Sequence, residues 1–437
     1  MQIDKITLND LSIFHPEEDQ SVFFHLNFTQ TNGGREYLRY LLGNTLHSIE
    51  SIQATQKTIQ HLVSVIEQWP VSPTNGTIMV LEKFYESPVD AYPKIPELFN
   101  SFLYQFFHQA DFSLTLFTIQ HAIDFVKGMN TIAGLINNAE TKGQLESIAS
   151  RIQHYLDNAI VQEMIVEDKN SMSNATILIY ANFIRFRFKK GITELIELYS
   201  KLDAYLSLAK AGRKYGFHFP TFIESKEPHF EAEGLYHFML AEPIDYSIGL
   251  SQKENFLFLT GANMAGKSTF IKAVGIAIYL AHLGMGVPAS TMQLSFFDGI
   301  ISNIQVTDNI AKGESFFFNE VQRIKNTIER INDGKKWMIL IDELFKGTNQ
   351  LDAVKCSTTV IEGLRKMPNA LFILYTHLYE IGAPLQQYSN IQFRYFETAV
   401  QDDQLLFSYQ LKKGVSNDRL GYLILKREGV VSLLENL

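Results

Sequence analysis

The sequence predicts an α-helical domain followed by an α/β domain built on a mostly parallel sheet. Three observations carry this. Apolar residues recur at three- and four-residue spacing through 36–66, 100–165 and 175–213, the period of amphipathic helices. After residue 250, short apolar runs alternate with helical segments, as in strands covered on both faces by crossover helices. Charge divides at about the same place: residues 1–250 hold 19 basic and 29 acidic side chains, residues 251–437 hold 19 and 18.

The chain of 437 residues is long enough for two to three domains and a large core. With 46% hydrophobic and 19% charged residues it is neither disordered nor low-complexity. A net charge of -9 excludes a protein held to nucleic acid by overall charge, although not a local basic patch. The single cysteine, Cys356, permits no internal disulfide and no cysteine-based zinc site. That fits a reducing compartment. The start, Met1-Gln-Ile-Asp-Lys, shows no secretory pattern, so a cytoplasmic protein is expected.

Within the helical part, Ile192, Leu195, Ile196, Tyr199, Leu202, Leu206 and Ala209 form one stripe that Gly216 closes. Proline-containing stretches at 70–73 and 88–96 mark loops. Pro220, Pro228 and Pro243 place the domain junction in 215–250. Beyond it, FLFLT (256–260), WMILID (337–342) and ALFILYT (370–376) have the look of buried parallel strands. Residues 273–290 are apolar enough to raise a membrane span. His282, three glycines and Pro288 interrupt them, and a helix packed on a sheet is the better reading. No internal repeat of 20–50 residues is present.

Gly261-Ala-Asn263-Met-Ala-Gly266-Lys267-Ser268-Thr269 fits G-x-x-x-x-G-K-[ST] between a strand and a helix, the context that gives the pattern its meaning. Glycines let backbone N–H groups converge on a phosphate. Lys267 supplies a point charge to the β- and γ-phosphates, Ser268 a hydroxyl for Mg²⁺, and the helix start a partial positive charge. The plainer alternative is a glycine-rich turn with a chance lysine.

About 75 residues on, the strand 338–342 ends in Asp342-Glu343. An acid at a strand's carboxyl end lies where α/β sheets bind ligands. Asp342 is expected to hold Mg²⁺, through water, and Glu343 to polarise the attacking water. A solvated acidic turn is the alternative. The third strand leads into Thr376-His377, where a histidine can sense the γ-phosphate or orient water, or simply sit in a solvent-exposed loop. The segment Gly313–Glu320, GESFFFNE, reads as a turn into an aromatic core helix, with no chemistry implied.

Together these pieces resemble the MutS family of DNA mismatch-repair ATPases. GANMAGKST (261–269) is similar to that family's phosphate loop, and SNIQVTDNIAKGESFFFNE (302–320) to the stretch leading into its Ser-Thr-Phe-Met signature. MILIDELFKGTNQLDA (338–353) resembles its Asp-Glu strand and Gly-Thr loop, and YTH (375–377) its Thr-His switch. The resemblance covers nearly all of 235–425 and extends upstream. Residues 23–62 resemble the start of the family's helical lever domain, and 198–217 its return helix. The resemblance therefore divides the chain into an N-terminal segment (1–22), a lever domain (23–217) and an ATPase domain (218–437).

The chain departs from the family pattern in several places. Only about 22 residues precede the lever, too few for the family's mismatch-reading and connector domains. The DNA-gripping clamp has its expected insertion point at 167–174, where only a loop is read. No nuclease-like Smr domain, as found at the end of a shorter MutS-like protein, is expected. Phe316 stands where Thr is usual, although Ser315 is kept, and Lys346 stands where Arg is usual.

The resemblance implies an ATP-binding, Mg²⁺-dependent ATPase and a homodimer with composite sites, in which Ser315 of one subunit faces the γ-phosphate held by the other. It also implies DNA as a partner, with weak binding and no mismatch preference expected. The competing reading is a nucleotide-switched ATPase whose partner is protein; the acidic first half favours it. The cluster Arg185, Arg187, Lys189 and Lys190, interleaved with Phe183, Phe186 and Phe188, either meets phosphate or forms the solvated face of an amphipathic element. A transporter-type or chromosome-maintenance ATPase would need a different signature. Tyr246 is an aromatic candidate for stacking on the base, with simple packing as its alternative.

Overall fold

The computed structural model describes residues 1–88, 92–93, 96–137, 143–262, 264–304, 316–401, 404–416, 425 and 429–435. The chain divides into two compact units. One comprises Met1–His25, Thr45–Ile52 and Lys214–Leu437, the other Leu26–Asn44 and Gln53–Arg213.

The first unit is built on two sheets. Its strands are β1 (Gln2–Ile3), β2 (Thr221–Ile223), β3 (His229–Leu235), β4 (Tyr246–Ser251), β5 (Phe256–Thr260) and β6 (Thr291–Ser295). They continue with β7 (Gly299–Asn303), β8 (Trp337–Asp342), β9 (Ala370–Tyr375), β10 (Ile391–Gln401) and β11 (Gln404–Lys413). The larger sheet runs β1-β7-β8-β9-β5-β10-β11 and is parallel except for the final pair. β5, β8 and β9 are buried on both faces. Their core includes Phe256, Phe258, Trp337, Ile339, Ile341 and Phe372, each contributing about 1.5–3 kcal/mol by burial. The apolar segment that raised a membrane span begins in the buried helix Lys267–His282. Among the described residues no helix is long and apolar enough to cross a membrane.

Two features differ from the sequence expectation. A second sheet, β2-β6-β3-β4, is antiparallel in two of its three pairings, so the unit's parallel character is partial. The N-terminal segment also takes part in the sheet, which no sequence pattern indicated. β1 extends the parallel sheet beside β7. The buried Asp10 carboxylate accepts from Ser302 Oγ (2.7 Å) and the Ile304 N–H (2.9 Å), fixing the end of β7.

Among its described residues the second unit is mainly helical. It contains Asn32–Gly43, Asn75–Glu86, Leu98–Phe107, the long Gln109–Ile136, Gln144–Leu156, Ala159–Val166 and Asn174–Asn182. The long helix Lys189–Tyr215 belongs to it through Arg213, and Gly216 follows with a φ of 69° that suits a glycine closing a helix. The buried Asp203 carboxylate ties this long helix to the segment at Gln30–Thr31. It accepts from the N–H groups of Gln30 (3.0 Å) and Thr31 (2.9 Å) and from Thr31 Oγ1 (2.7 Å). Burial pushes this carboxyl up, and those hydrogen bonds oppose it. Gly34 makes the approach possible, since a Cβ there would stand 2.2 Å from Asp203 Oδ2.

Of the expected clamp position, 167–174, residues 167–173 form a short connection between Ala159–Val166 and Asn174–Asn182. The Lys169–Asp124 ion pair (2.6 Å) pins it. The basic cluster is only partly available. Arg185 donates to Ser87 O (2.6 Å) and to Phe84 O, while Phe183 and Phe188 are buried and stacked at 5.0 Å. Arg187, Lys189 and Lys190 remain exposed. The helical unit holds 16 basic and 17 acidic residues, so the acid excess of the first half lies mainly outside it.

Candidate functional site

Three adjacent strands end level at one edge of the parallel sheet. Leu259 of β5 stands opposite Tyr375 of β9, and Tyr375 opposite Asp342 of β8. Parallel α/β sheets bind ligands at this edge. Adjacency of β8, β9 and β5 therefore brings the 261–266 loop, the Asp342-Glu343 pair and His377 together from positions more than 70 residues apart at the first step.

The loop leaves β5 with left-handed backbone at Gly261 (φ 143°), Met264 (66°) and Gly266 (93°). Such residues turn N–H groups toward one concave side. At Gly261 a Cβ would also press on the backbone of Phe396 at 3.3 Å. Gly266 precedes the helix Lys267–His282, whose start carries no side-chain cap, so its first N–H groups suit an anion.

Lys267 is buried. Its Nζ donates to Gly261 O (2.8 Å) and Ala262 O and lies 4.3 Å from the centre of the Tyr375 ring. Burial pulls the amine down to about 8, with Asp342 and Glu343 acting in the opposite direction. Ser268 Oγ donates to Asp342 Oδ2 at 2.9 Å, joining the loop to the end of β8. Thr269 lines the same cleft.

Glu343 has left-handed backbone (φ 64°), which is strained for a non-glycine residue. Its N–H donates to Tyr375 O at 2.8 Å. Burial pushes its carboxyl above the usual range; Lys346 Nζ, 3.5 Å away, opposes this and Asp342 reinforces it. Lys346 also lies 3.9 Å from Asp342. Burial, then Lys267 and Lys346, pulls the His377 imidazole down to about 4, so it is neutral at neutral pH. The Tyr375 hydroxyl and His377 Nε2 are hydrogen-bonded.

These groups line a cleft of about 960 Å³. Its remaining lining is mostly apolar and aromatic, Leu240, Ile244, Tyr246, Met264 and Tyr409, with Glu242 among them. Tyr246 is buried edge-on against Phe270 (5.2 Å) and Phe396 (5.7 Å), which makes it a packing residue at the cleft margin. Tyr409 is 38% exposed and had no sequence signal, because it sits on the antiparallel β11 with no motif around it. Asn263 and Ser315 lie outside the described residues.

Glu320, on the helix Phe316–Ile331, is a further residue that no sequence pattern singles out. Buried, it accepts from the N–H groups of Lys346 and Gly347, each at 3.1 Å, and so holds the loop that follows Asp342-Glu343. The expected aromatic core helix is met only in part: half-buried Phe317 lies 5.7 Å from Phe345, while Phe318 is exposed.

The Ser268 hydroxyl and Asp342 carboxylate form a hard oxygen pair suited to Mg²⁺. Among the described residues no group of three or more His, Cys, Asp or Glu could hold an ion. An ion here would therefore draw its remaining ligands from phosphate and water, the usual arrangement for Mg²⁺.

A glycine loop between a strand and a helix, facing an acid at the end of the next parallel strand but one, is the arrangement of the phosphate-loop class of nucleotide-binding folds. Residues 257–432 match the family described as MutS domain V. The chain is 26% identical over 242 residues to the DNA mismatch repair protein MutS of Petrotoga mobilis, covering 54% of this chain and 29% of that protein. It is 29% identical over 230 residues to the DNA mismatch repair protein spellchecker 1 of Drosophila melanogaster, covering 51% and 25%. It is 24% identical over 389 residues to MutS of Carboxydothermus hydrogenoformans, covering 84% and 44%. The chain is therefore similar to proteins of the MutS family, most directly over 257–432. It spans less than half the length of these relatives.

Proposed function

We propose that the chain binds ATP with Mg²⁺, hydrolyses it, and uses the nucleotide to switch a homodimer that associates with DNA. The observation that carries this is the 2.9 Å hydrogen bond from Ser268 to Asp342, with Glu343 next in the chain at the same sheet edge. Lys267 and the N–H groups of 261–269 take the phosphates. Ser268 and Asp342 hold Mg²⁺, which supplies charge neutralisation on the phosphates when bound. Glu343 accepts a proton from the attacking water, a task its raised carboxyl suits. Neutral His377 orients that water. Tyr409 and the Leu240–Ile244 wall face the base, and Ser315 completes the partner's site.

The DNA association rests on what the relatives are named for, with 23–217 as lever and 218–437 as ATPase. The reading with a protein partner has one observation in its favour: Arg185 of the basic cluster is engaged by backbone carbonyls. ATP turnover with no DNA, homoduplex, mismatched and branched DNA, at low and physiological salt, tests both. Hydrolysis with weak, salt-sensitive stimulation and no mismatch preference is expected. Absence of hydrolysis would refute the enzymatic reading, and a mismatch preference at physiological salt the proposed DNA behaviour.

A further inference from the structure

Tyr375, the last residue of β9, stands between the phosphate-loop lysine and the histidine. It is 4% exposed and touches both. Its ring centre lies 4.3 Å from Lys267 Nζ and 4.9 Å from the centre of the His377 ring, the two rings meeting edge-on at 78°. Its hydroxyl is hydrogen-bonded to His377 Nε2. The backbone around the pair is pinned. Glu343 N–H donates to Tyr375 O (2.8 Å), Thr376 N–H to Leu259 O (3.0 Å) and Leu378 N–H to Thr376 Oγ1 (3.0 Å). The Glu343 carboxyl in turn takes the His377 N–H. Tyr375 and His377 are thus built against the acid that handles water in the proposed reaction.

The available protons fix the direction of the side-chain bond. A phenol keeps its proton at neutral pH and can donate or accept, while a neutral imidazole has one N–H and one bare nitrogen. Among the described residues Nε2 is the hydrogen-bond partner of the Tyr375 hydroxyl. Were Nε2 to carry the proton and donate, the buried phenol proton would be left without an acceptor, which burial penalises. The hydroxyl therefore donates, Nε2 is bare and the imidazole proton stands on Nδ1. The partner of one ring nitrogen sets the state of the other. We propose that Tyr375 is a positioning residue for ATP hydrolysis: by donating to Nε2 it holds His377 in one ring orientation with Nδ1–H as its donor. This rests on the hydrolytic reading of the cleft.

Nitrogen NMR of the nucleotide-free chain carrying isotope-labelled histidine reads the tautomer, and His377→Asn identifies the signal. Wild type should show Nδ1–H with a bare Nε2. Tyr375→Phe keeps the ring beside Lys267 and should shift His377 toward Nε2–H. It should also lower kcat about 10–100-fold, as loss of a group that orients a histidine does, with nucleotide affinity unchanged. Because Tyr375 acts through His377, Tyr375→Phe/His377→Asn should be no slower than His377→Asn alone. A wild type with Nε2–H would overturn the proposal, and that spectrum decides it even if Tyr375→Phe folds poorly. So would Tyr375→Phe turning over at the wild-type rate, or a double variant in which the two losses multiply. A wild type that binds ATP without hydrolysing it would refute the hydrolytic reading, and the tautomer would still decide whether Tyr375 positions His377.

Discussion

Lys267 is the residue whose environment makes the sharpest demand on solution behaviour. Its amine, held at about 8 by burial, is charged at neutral pH and loses that charge just above it. A bound phosphate favours the charged form and raises the value again. Nucleotide affinity should therefore be flat below pH 7 and fall above pH 8, by up to about tenfold per pH unit, as binding must first restore the proton. Titration of a fluorescent ATP analogue from pH 6.5 to 9.5 checks this; flat affinity across the range would mean that Lys267 does not meet phosphate. Turnover should fall on the acid side above the ordinary carboxylate range, following Glu343. It should show no step near pH 6.5, because His377 is already neutral there. The loop and the acid pair were legible because their chemistry forces a local pattern: glycines where φ is positive, a carboxylate where a strand ends. Tyr409 and Glu320 left no such trace. Their value comes from what lies opposite them in space, and their neighbours in sequence are ordinary strand and helix residues.

Among the elements, the helix Phe316–Ile331 matters most to the site, since Glu320 anchors the loop after Glu343 through two backbone N–H groups. Hydrogen bonds to a charged acceptor contribute about 1.5–3 kcal/mol each. Glu320→Ala should lower kcat by about 10–100-fold with little change in nucleotide affinity, because it loosens the loop after Glu343, the residue proposed to handle water, and leaves the phosphate loop alone. Steady-state kinetics beside equilibrium binding separates the two effects; unchanged kcat would refute the anchoring role. In the helical unit, Gly128 lets the long helix Gln109–Ile136 pass the backbone at Ser72, where a Cβ would stand 2.1 Å from Ser72 O. Gly128→Ala should destabilise that unit by about 1–3 kcal/mol, read as a lower denaturation midpoint. The three central strands were visible as unbroken apolar runs. The second sheet was not, since β2, β3 and β6 are short and half-exposed, and their pairings join residues about 60–70 apart. Nor was the role of residues 1–22, because two residues of β1 make no pattern at all.

For the whole molecule, charge by unit revises one inference from the sequence. The acid excess of residues 1–250 lies mainly in segments packed with the sheets, and the helical unit is near neutral. The proposed composite site predicts subunit complementation. Ser315→Ala and Glu343→Gln homodimers should each be inactive. Mixed dimers should regain activity, since one of their two sites keeps both groups. If mixed dimers form and stay inactive, Ser315 does not act across the interface. The central claim is that the sheet edge joining Ser268, Asp342 and Glu343 hydrolyses ATP, and single-turnover hydrolysis by Glu343→Gln tests it most directly. The variant should bind Mg·ATP as wild type does and hydrolyse it about 10²–10⁴-fold more slowly. Hydrolysis at the wild-type rate would contradict the assignment of Glu343 and the account built on it.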